Sequence, residues 1–236
     1  MVADINPYIL SEDNLTAEAK RLIALIETQS PFVFLTGKAG TGKTTLLRYV
    51  YKRYIETSVK LAPTGIAALN IEGQTIHKFF KFPPRMFDLG EIAARKPNDV
   101  VGKLKLIIID EISMVRADLL DNVDKILKIW RKTEEPFGGV QILAVGDLFQ
   151  LPPVLRRGDE TDIYKRRYQS TWFFNANIFK DVKIVGVNLK ETYRQKDEKF
   201  VGVLDNLRIG RELEDVVDWL NGRCLKEAFE VSSSVT

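Results

Sequence analysis

The chain has 236 residues, 45% of them hydrophobic and 28% charged, with a formal net charge of +3. That supplies apolar material for one large α/β domain, or one domain with part of another, and excludes a general polycation. The single cysteine, Cys224, excludes an internal disulfide and a multi-cysteine metal site, and the single histidine, His77, excludes a histidine-based one. The start MVADINPYILSEDN lacks the basic and long apolar regions of a signal peptide, and no run reaches the length of a membrane span. A soluble protein of a reducing, intracellular compartment is expected: cytoplasmic, with no membrane partner, and at the nucleoid if bacterial.

In chain order, Leu15, Ala19, Leu22, Ile23 and Ile26 recur at helical spacing, with Thr16 as a candidate N-cap. The run Phe32-Val33-Phe34-Leu35 reads as a strand stopping at Gly37, and a helix is expected from Leu46 to about Tyr54. A short strand over 59–62 closes at Pro63-Thr64-Gly65, followed by a small helix over 66–69. From 78 to 98 there is no clean period, Pro83, Pro84 and Pro97 interrupt, and aromatics alternate with cations, the pattern of an insertion. A strand over 104–109 ends at Asp110. Leu119, Leu120, Val123, Ile126, Leu127 and Trp130 then mark a helix, and strands follow over 140–145 and 183–188. Beyond Glu191, two helical stretches are expected, through Phe200, Val201, Leu204 and Leu207 and then Val216, Val217 and Leu220. The final EVSSSVT reads as the start of a strand. Strands separated by helices predict an α/β fold with a mainly parallel sheet covered on both faces.

Gly37-Lys38-Ala39-Gly40-Thr41-Gly42-Lys43-Thr44, continued by Thr45, fits the phosphate-binding loop pattern in full. Its glycines let successive backbone N–H groups converge on one anion, and the helix that follows turns its positive end to the same point. Lys43 supplies a point charge to the β- and γ-phosphates, and the Thr44 hydroxyl is a hard-oxygen ligand for Mg²⁺. Asp110 and Glu111 end a buried strand at the sheet edge where this loop also lies. Alone they read as an acidic pair capping a strand. Coupled to the loop, Asp110 suits Mg²⁺ held through its water shell, and Glu111 suits removal of a proton from an attacking water. Gln150, in GDLFQLPP at 146–153, either orients a water and a γ-phosphate oxygen or is a solvent-facing amide in an ordinary turn; spacing alone leaves both open.

Thr64-Gly65 and Thr75-Ile76-His77-Lys78-Phe79-Phe80 suit a single nucleic-acid strand, through hydroxyl and N–H contacts to phosphates and aromatic faces for bases. The alternative is a local hydrogen-bonding role for His77 and a core role for Phe79 and Phe80. Two cationic groups, Lys81, Arg85, Arg95, Lys96, Lys103 and Lys105 and then Arg156, Arg157, Lys165, Arg166 and Arg167, are solvated faces or parts of a backbone track.

Together these stretches resemble the Pif-one family of DNA helicases, in superfamily one B, relatives of the RecD helicases. The resemblance rests on GKAGTGKTT at 37–45, LAPTGIAALNIEGQTIHKFF at 61–80, IIIDEISMV at 107–115, VGDLFQLPPV at 145–154 and ETYRQKDEKFVGVLDNLRIG at 191–210. Many ATPases share the first and third; the others, in this order, are far more specific. The resemblance implies a RecA-like P-loop domain over 1–77 and 99–190, a small wedge-like insertion over 78–98, and a helical linker over 191–236 leading to a second RecA-like domain. It implies ATP and Mg²⁺ as cofactors, single-stranded, duplex and forked DNA as partners, monomeric action, and ATP-driven 5′-to-3′ translocation that unwinds DNA. DNA repair, recombination and telomere maintenance are uses the family shares. Gly37 to Thr45, Asp110, Glu111 and Gln150 would face ATP, with Arg194 directed at the γ-phosphate and Tyr193 stacked on adenine. Pro63, Thr64, Gly65, Thr75, His77, Lys78, Phe79, Phe149, Pro152 and Pro153 would face DNA.

Two departures from the family pattern carry expectations. Ala19 follows Glu18 where the family commonly has a Gln that reads adenine, so that contact is not expected here. The chain also stops at Thr236, where the second motor domain would begin. Either the chain is the first motor half, the expectation favoured here, binding nucleotide and hydrolysing it only weakly alone, or it works with a separate partner. Two other readings compete: a nucleotide-gated, single-strand-binding P-loop module without motor action, and a P-loop ATPase acting on protein partners.

Overall fold

A computed structural model describes residues 15–38, 40–83, 85, 87, 90–93, 96–155, 164–191 and 198–233. Short apolar runs, interrupted at Lys60 in β2 and at Gly186 and Asn188 in β6, become strands β1 (Phe32–Gly37), β2 (Ser58–Ala62), β4 (Leu106–Ile109), β5 (Gln141–Val145) and β6 (Val185–Leu189), with β3 (Gln74–Thr75) at one edge. The six strands form one sheet in the order β3-β2-β4-β5-β1-β6, and every pairing is parallel. Helix α1 (Ala17–Glu27) precedes β1, and the crossovers that parallel strands need run through α2 (Lys43–Arg53), α3 (Gly65–Asn70), α4 (Ile76–Phe80), α5 (Gly90–Ala93) and α6 (Ala117–Arg131).

Because successive strand residues point to opposite faces, the sheet carries two cores. Val33, Leu35, Leu106, Ile108, Leu143 and Val145 pack beneath α1, α2 and α3. Phe32, Phe34, Ile107, Ile109, Ile142 and Ala144 pack on the other face with α4 and α6. Helix α1 forms where its spacing predicts. Ala19, Leu22, Ile23 and Ile26 are its buried residues, and Thr16 Oγ1 accepts a hydrogen bond from Ala19 N at 3.2 Å.

A buried carboxylate pins the second face. Asp121 on α6 is 2% exposed and accepts from Tyr168 Oη (2.9 Å), Asn177 N (3.0 Å), Asn177 Nδ2 (3.0 Å) and Ile178 N (3.0 Å). Asp121→Ala leaves those donors unmatched in the interior and is expected to cost at least about 3 kcal/mol of stability, read by urea unfolding.

The chain divides into two compact units, Met1–Glu191 and Thr192–Thr236. In the second, α7 (Glu198–Ile209) and α8 (Leu213–Ser233) pack on each other, with Phe200 and Trp219 stacked at 5.8 Å and Arg223 lying over both rings at 5.0 and 5.4 Å. Among the described residues, no helix is long and apolar enough to cross a membrane.

Two expectations change. The start of the last stretch is not strand-like, because α8 runs helical through Ser233, the remaining three residues lying outside the described ones. The irregular segment does not begin at 78: Lys78 to Phe80 belong to α4. Phe79, Phe80 and Phe82 are core residues, with Phe80 and Phe82 stacked at 5.3 Å and the Phe87 ring tilted against Phe82 at 4.9 Å. The aromatics at the start of the irregular segment are therefore rooted in the core. The expected parallel sheet is found, with all five of its pairings parallel.

Candidate nucleotide and nucleic-acid site

A fully parallel sheet delivers the C-terminal ends of all its strands to one edge, and every motif loop leaves from that edge. Across it lie Thr75 on β3, Pro63-Thr64 after β2, Asp110-Glu111 after β4, Gly146 to Gln150 after β5, and the phosphate loop after β1. At strand spacings of about 4.8 Å, β1 and β2 stand roughly 14 Å apart, with β5 and β4 filling the interval.

The phosphate loop is built on backbone that only glycine adopts readily. Gly40 and Gly42 have φ of 77° and 82°, and Gly42 is the residue from which α2 springs at Lys43. Gly37 ends β1 and is buried. Lys38 and Thr44 are exposed, Thr45 is half-buried, and Thr41 is buried with Oγ1 donating to Lys38 O at 2.9 Å. Lys43 Nζ folds back over the loop, donating to Gly37 O at 2.7 Å and Lys38 O at 2.9 Å. Those carbonyls keep the ammonium at the loop's mouth, where a phosphate can replace them as partner. Ala39 lies outside the described residues, as do Tyr193 and Arg194.

Asp110 and Glu111 are both half-buried. Burial pushes the Asp110 carboxyl above its ordinary value, against the Glu111 backbone N–H and the Lys43 charge, which pull it down. Glu111 is pushed up by burial first and by Asp110 next, with Lys43 opposing and Asp147 adding. Lys43 acts on both carboxylates, so the loop and the acid pair share one electrostatic site. Glu111 also sits at φ 51°, ψ 43°, a left-handed backbone uncommon outside glycine and asparagine.

Asp147 is a member of this site that the sequence reading passed over. It is 1% exposed, and its Oδ1 accepts from Phe149 N at 3.1 Å while Gln150 N donates to Asp147 O at 3.1 Å. The turn carrying Gln150 is thereby shaped by a buried carboxylate. It also lies close against the acid turn. A Cβ on Gly146 would meet Ile112 Cγ2 at 3.0 Å and Ile112 N at 3.2 Å, so any larger residue would force the two turns apart. The signal was present in the sequence, since Asp147 follows an apolar strand as Asp110 does.

Of the residues expected to face nucleic acid, Pro63, Thr64, Thr75 and His77 are half-buried and Gly65, Lys78, Pro152 and Phe149 are exposed, Phe149 at 59%. Gln150 is exposed on the same turn as Phe149. Burial and then Arg116 depress the His77 pKa, against Asp118, so its imidazole is neutral at neutral pH. Two residues do not fit. Phe79 is 1% exposed, its ring edge-on to Phe80 in the core, and has no face to offer a base; Pro153 is likewise buried. The hydroxyls of Thr64 and Thr75 already cap helices, accepting from Ala67 N at 3.2 Å and Lys78 N at 3.1 Å. Thr64→Ala and Thr75→Ala are each expected to lower stability by about 1 kcal/mol in urea unfolding, with serine at either position keeping the cap.

A family model described as PIF1-like helicase matches residues 11–218. The chain belongs to the PIF1-like helicase family. This PIF1-like chain is 34% identical over 212 residues to the ATP-dependent DNA helicase RRM3 of Saccharomyces cerevisiae, a match covering 86% of the chain and 28% of the relative. It is 34% identical over 204 residues to the ATP-dependent DNA helicase PIF1 of Homo sapiens, covering 84% and 30%. The crystal structure of Bacteroides Pif1 bound to single-stranded DNA matches with a TM-score of 0.80 at 41% identity, over 87% of this chain and 49% of that one. The Bacteroides Pif1 complex with ADP-AlF3 and single-stranded DNA gives 0.80 at 40%, over 86% and 48%. The PIF1-like chain thus spans under a third of these curated relatives and about half of these solved chains, and its first unit has their RecA-like fold.

Proposed function

We propose that this chain is the nucleotide-binding motor half of an ATP-dependent 5′-to-3′ DNA helicase that works as a monomer, moving on single-stranded DNA and opening duplex or forked DNA. The observation that carries this reading is the shared edge, where the phosphate loop and the 63–65 and 75–78 stretches are joined by the Glu111 and Gln150 turns between them. Backbone N–H groups of the loop and Lys43 would hold the phosphates. Thr44 and Asp110 offer only hard oxygens, the donor set that suits Mg²⁺, and they would hold it largely through water. The metal would supply charge neutralisation at the phosphates. Glu111 would take the proton from the attacking water, Gln150 would orient that water, and Arg194 would offset charge on the γ-phosphate. Tyr193 would stack on the base. On the nucleic-acid side, Thr64, Gly65, Thr75, His77 and Lys78 would contact phosphates, and Phe149 would stack on a base.

The test is binding and turnover by this chain with ATP, Mg²⁺ and oligo(dT). The reading expects Mg²⁺-dependent ATP binding and single-strand binding whose affinity changes with bound nucleotide. DNA affinity that responds to ATP, with no turnover even in the longest native chain, would favour the nucleotide-gated binding module. DNA that neither binds nor stimulates would favour an ATPase acting on proteins.

A further inference from the structure

A second basic and aromatic surface is built from residues outside the edge loops. Lys165, Arg166 and Arg167 are exposed on a helical turn at 164–167, and Trp172 and Phe174 stack with ring centroids 5.8 Å apart and planes 10° from parallel. Between them, Phe173 points the other way into the core, against Phe34 at 5.4 Å and Phe32 at 6.1 Å. The alternation anchors the backbone through Phe173 and leaves Phe174 39% exposed.

The rings and the cations share one scaffold. Tyr164 roots the helical turn in the core and its hydroxyl donates to Ser170 O at 3.4 Å. Ser170 Oγ accepts from Trp172 N at 3.4 Å and from Asn175 Nδ2. The scaffold is fixed at the start of α6, where Ala117 N donates to Thr171 O at 3.1 Å and Trp172 forms a bridge with Arg116. Arg116 is close enough to His77 to depress its pKa, so the surface lies near the 75–78 stretch.

A pre-stacked aromatic pair beside three cations matches the needs of one polyanion, a single nucleic-acid strand: a π-face for a base and positive charge for the phosphates around it. We propose that Trp172 and Phe174 stack a base of the bound strand and that Lys165, Arg166 and Arg167 neutralise its neighbouring phosphates, forming a second strand contact beyond the edge loops. The inference rests on the nucleic-acid reading of the edge.

Anisotropy titrations of this chain with short (about 5-nucleotide) and longer (about 16-nucleotide) oligo(dT) separate the two, since single-strand sites span ~4–16 nucleotides. The variants are Trp172→Ala/Phe174→Ala and Lys165→Gln/Arg166→Gln/Arg167→Gln, the second confined to exposed side chains. Both are expected to bind the short strand as the parent does. The aromatic variant should lose roughly 5- to 150-fold on the longer one. The cation variant should flatten the slope of log affinity against log salt by about 2. Unchanged affinity and slope on the longer strand in both variants, with the parent binding normally, overturn the second contact and leave the edge reading intact. A parent that binds neither strand overturns both.

Discussion

Glu111→Gln should lower ATP turnover by about 10²- to 10⁴-fold, the contribution of a positioned general base, while nucleotide binding persists. The amide keeps the shape of the carboxyl and loses its capacity to accept a proton. The same change should raise the melting temperature of the ligand-free chain at neutral pH. Burial and the Asp110 charge raise the Glu111 pKa in the folded chain, so folding favours its protonated form. The sign follows from that direction. The stability Glu111 contributes is fully present below its ordinary carboxylate range and is lost as pH rises through its raised folded value. Glutamine removes that loss, so the two chains should melt alike in acid and diverge towards neutrality. Phosphate-release kinetics with thermal melts at several pH values measure both effects. Undiminished turnover by Glu111→Gln would remove Glu111 from the base role.

Lys43→Ala should weaken nucleotide binding by at least about 100-fold, the loss of charged hydrogen bonds to phosphate. The side chain has two functions to lose. Its Nζ ties Gly37 O and Lys38 O together across the loop, and its charge lowers the pKa of both Asp110 and Glu111. Without it the loop loses a tether and the acid pair rises further above the carboxylate range. Lys43→Arg should not restore binding, because a planar fork does not fill the place of a compact ammonium held between two carbonyls. Titration with a fluorescent ADP analogue reads the change, and unaltered affinity in Lys43→Ala would sink the assignment of the loop to phosphate.

β1, β4 and β5 were legible in the sequence because each is an apolar run ended by glycine or a carboxylate, a pattern that parallel strands buried on both faces require. The phosphate loop was legible from its glycine spacing; β2 and β6, interrupted by Lys60 and by Gly186 and Asn188, carry a weaker signal. β3 was not legible, since Gln74 and Thr75 carry no apolar signal and are held as a strand by pairing with Leu61 and Ala62. Phe79 illustrates the limit of local reading. Beside His77 and Lys78 it has the composition of a base-stacking residue, and only the turn of α4 decides that Lys78 faces solvent while Phe79 faces the core. Pro153 was misplaced in the same way beside the exposed Pro152. Near the chain's end the β-branched residues of EVSSSVT carried strand propensity, a weak prior that α8 overrides through Ser233. Asp147 shares the strand-end signal of Asp110, but its burial and its proximity to Glu111 are properties of the assembled edge.

The strand order also sets when the phosphate loop can work during synthesis. β1 emerges from the ribosome well before its neighbours β5 and β6, with which Phe32 pairs at Ile142 and Val33 at Val185. Until those late strands arrive, the loop hangs from an unpaired apolar segment with no rigid base to aim its N–H groups. At roughly 5–20 residues per second the nascent chain spends several seconds in that state, exposing Phe32 to Leu35 to other chains. Pairing between such distant segments is intrinsically slow, so the nucleotide should be captured only near the end of folding, tightening a sheet that is already closed.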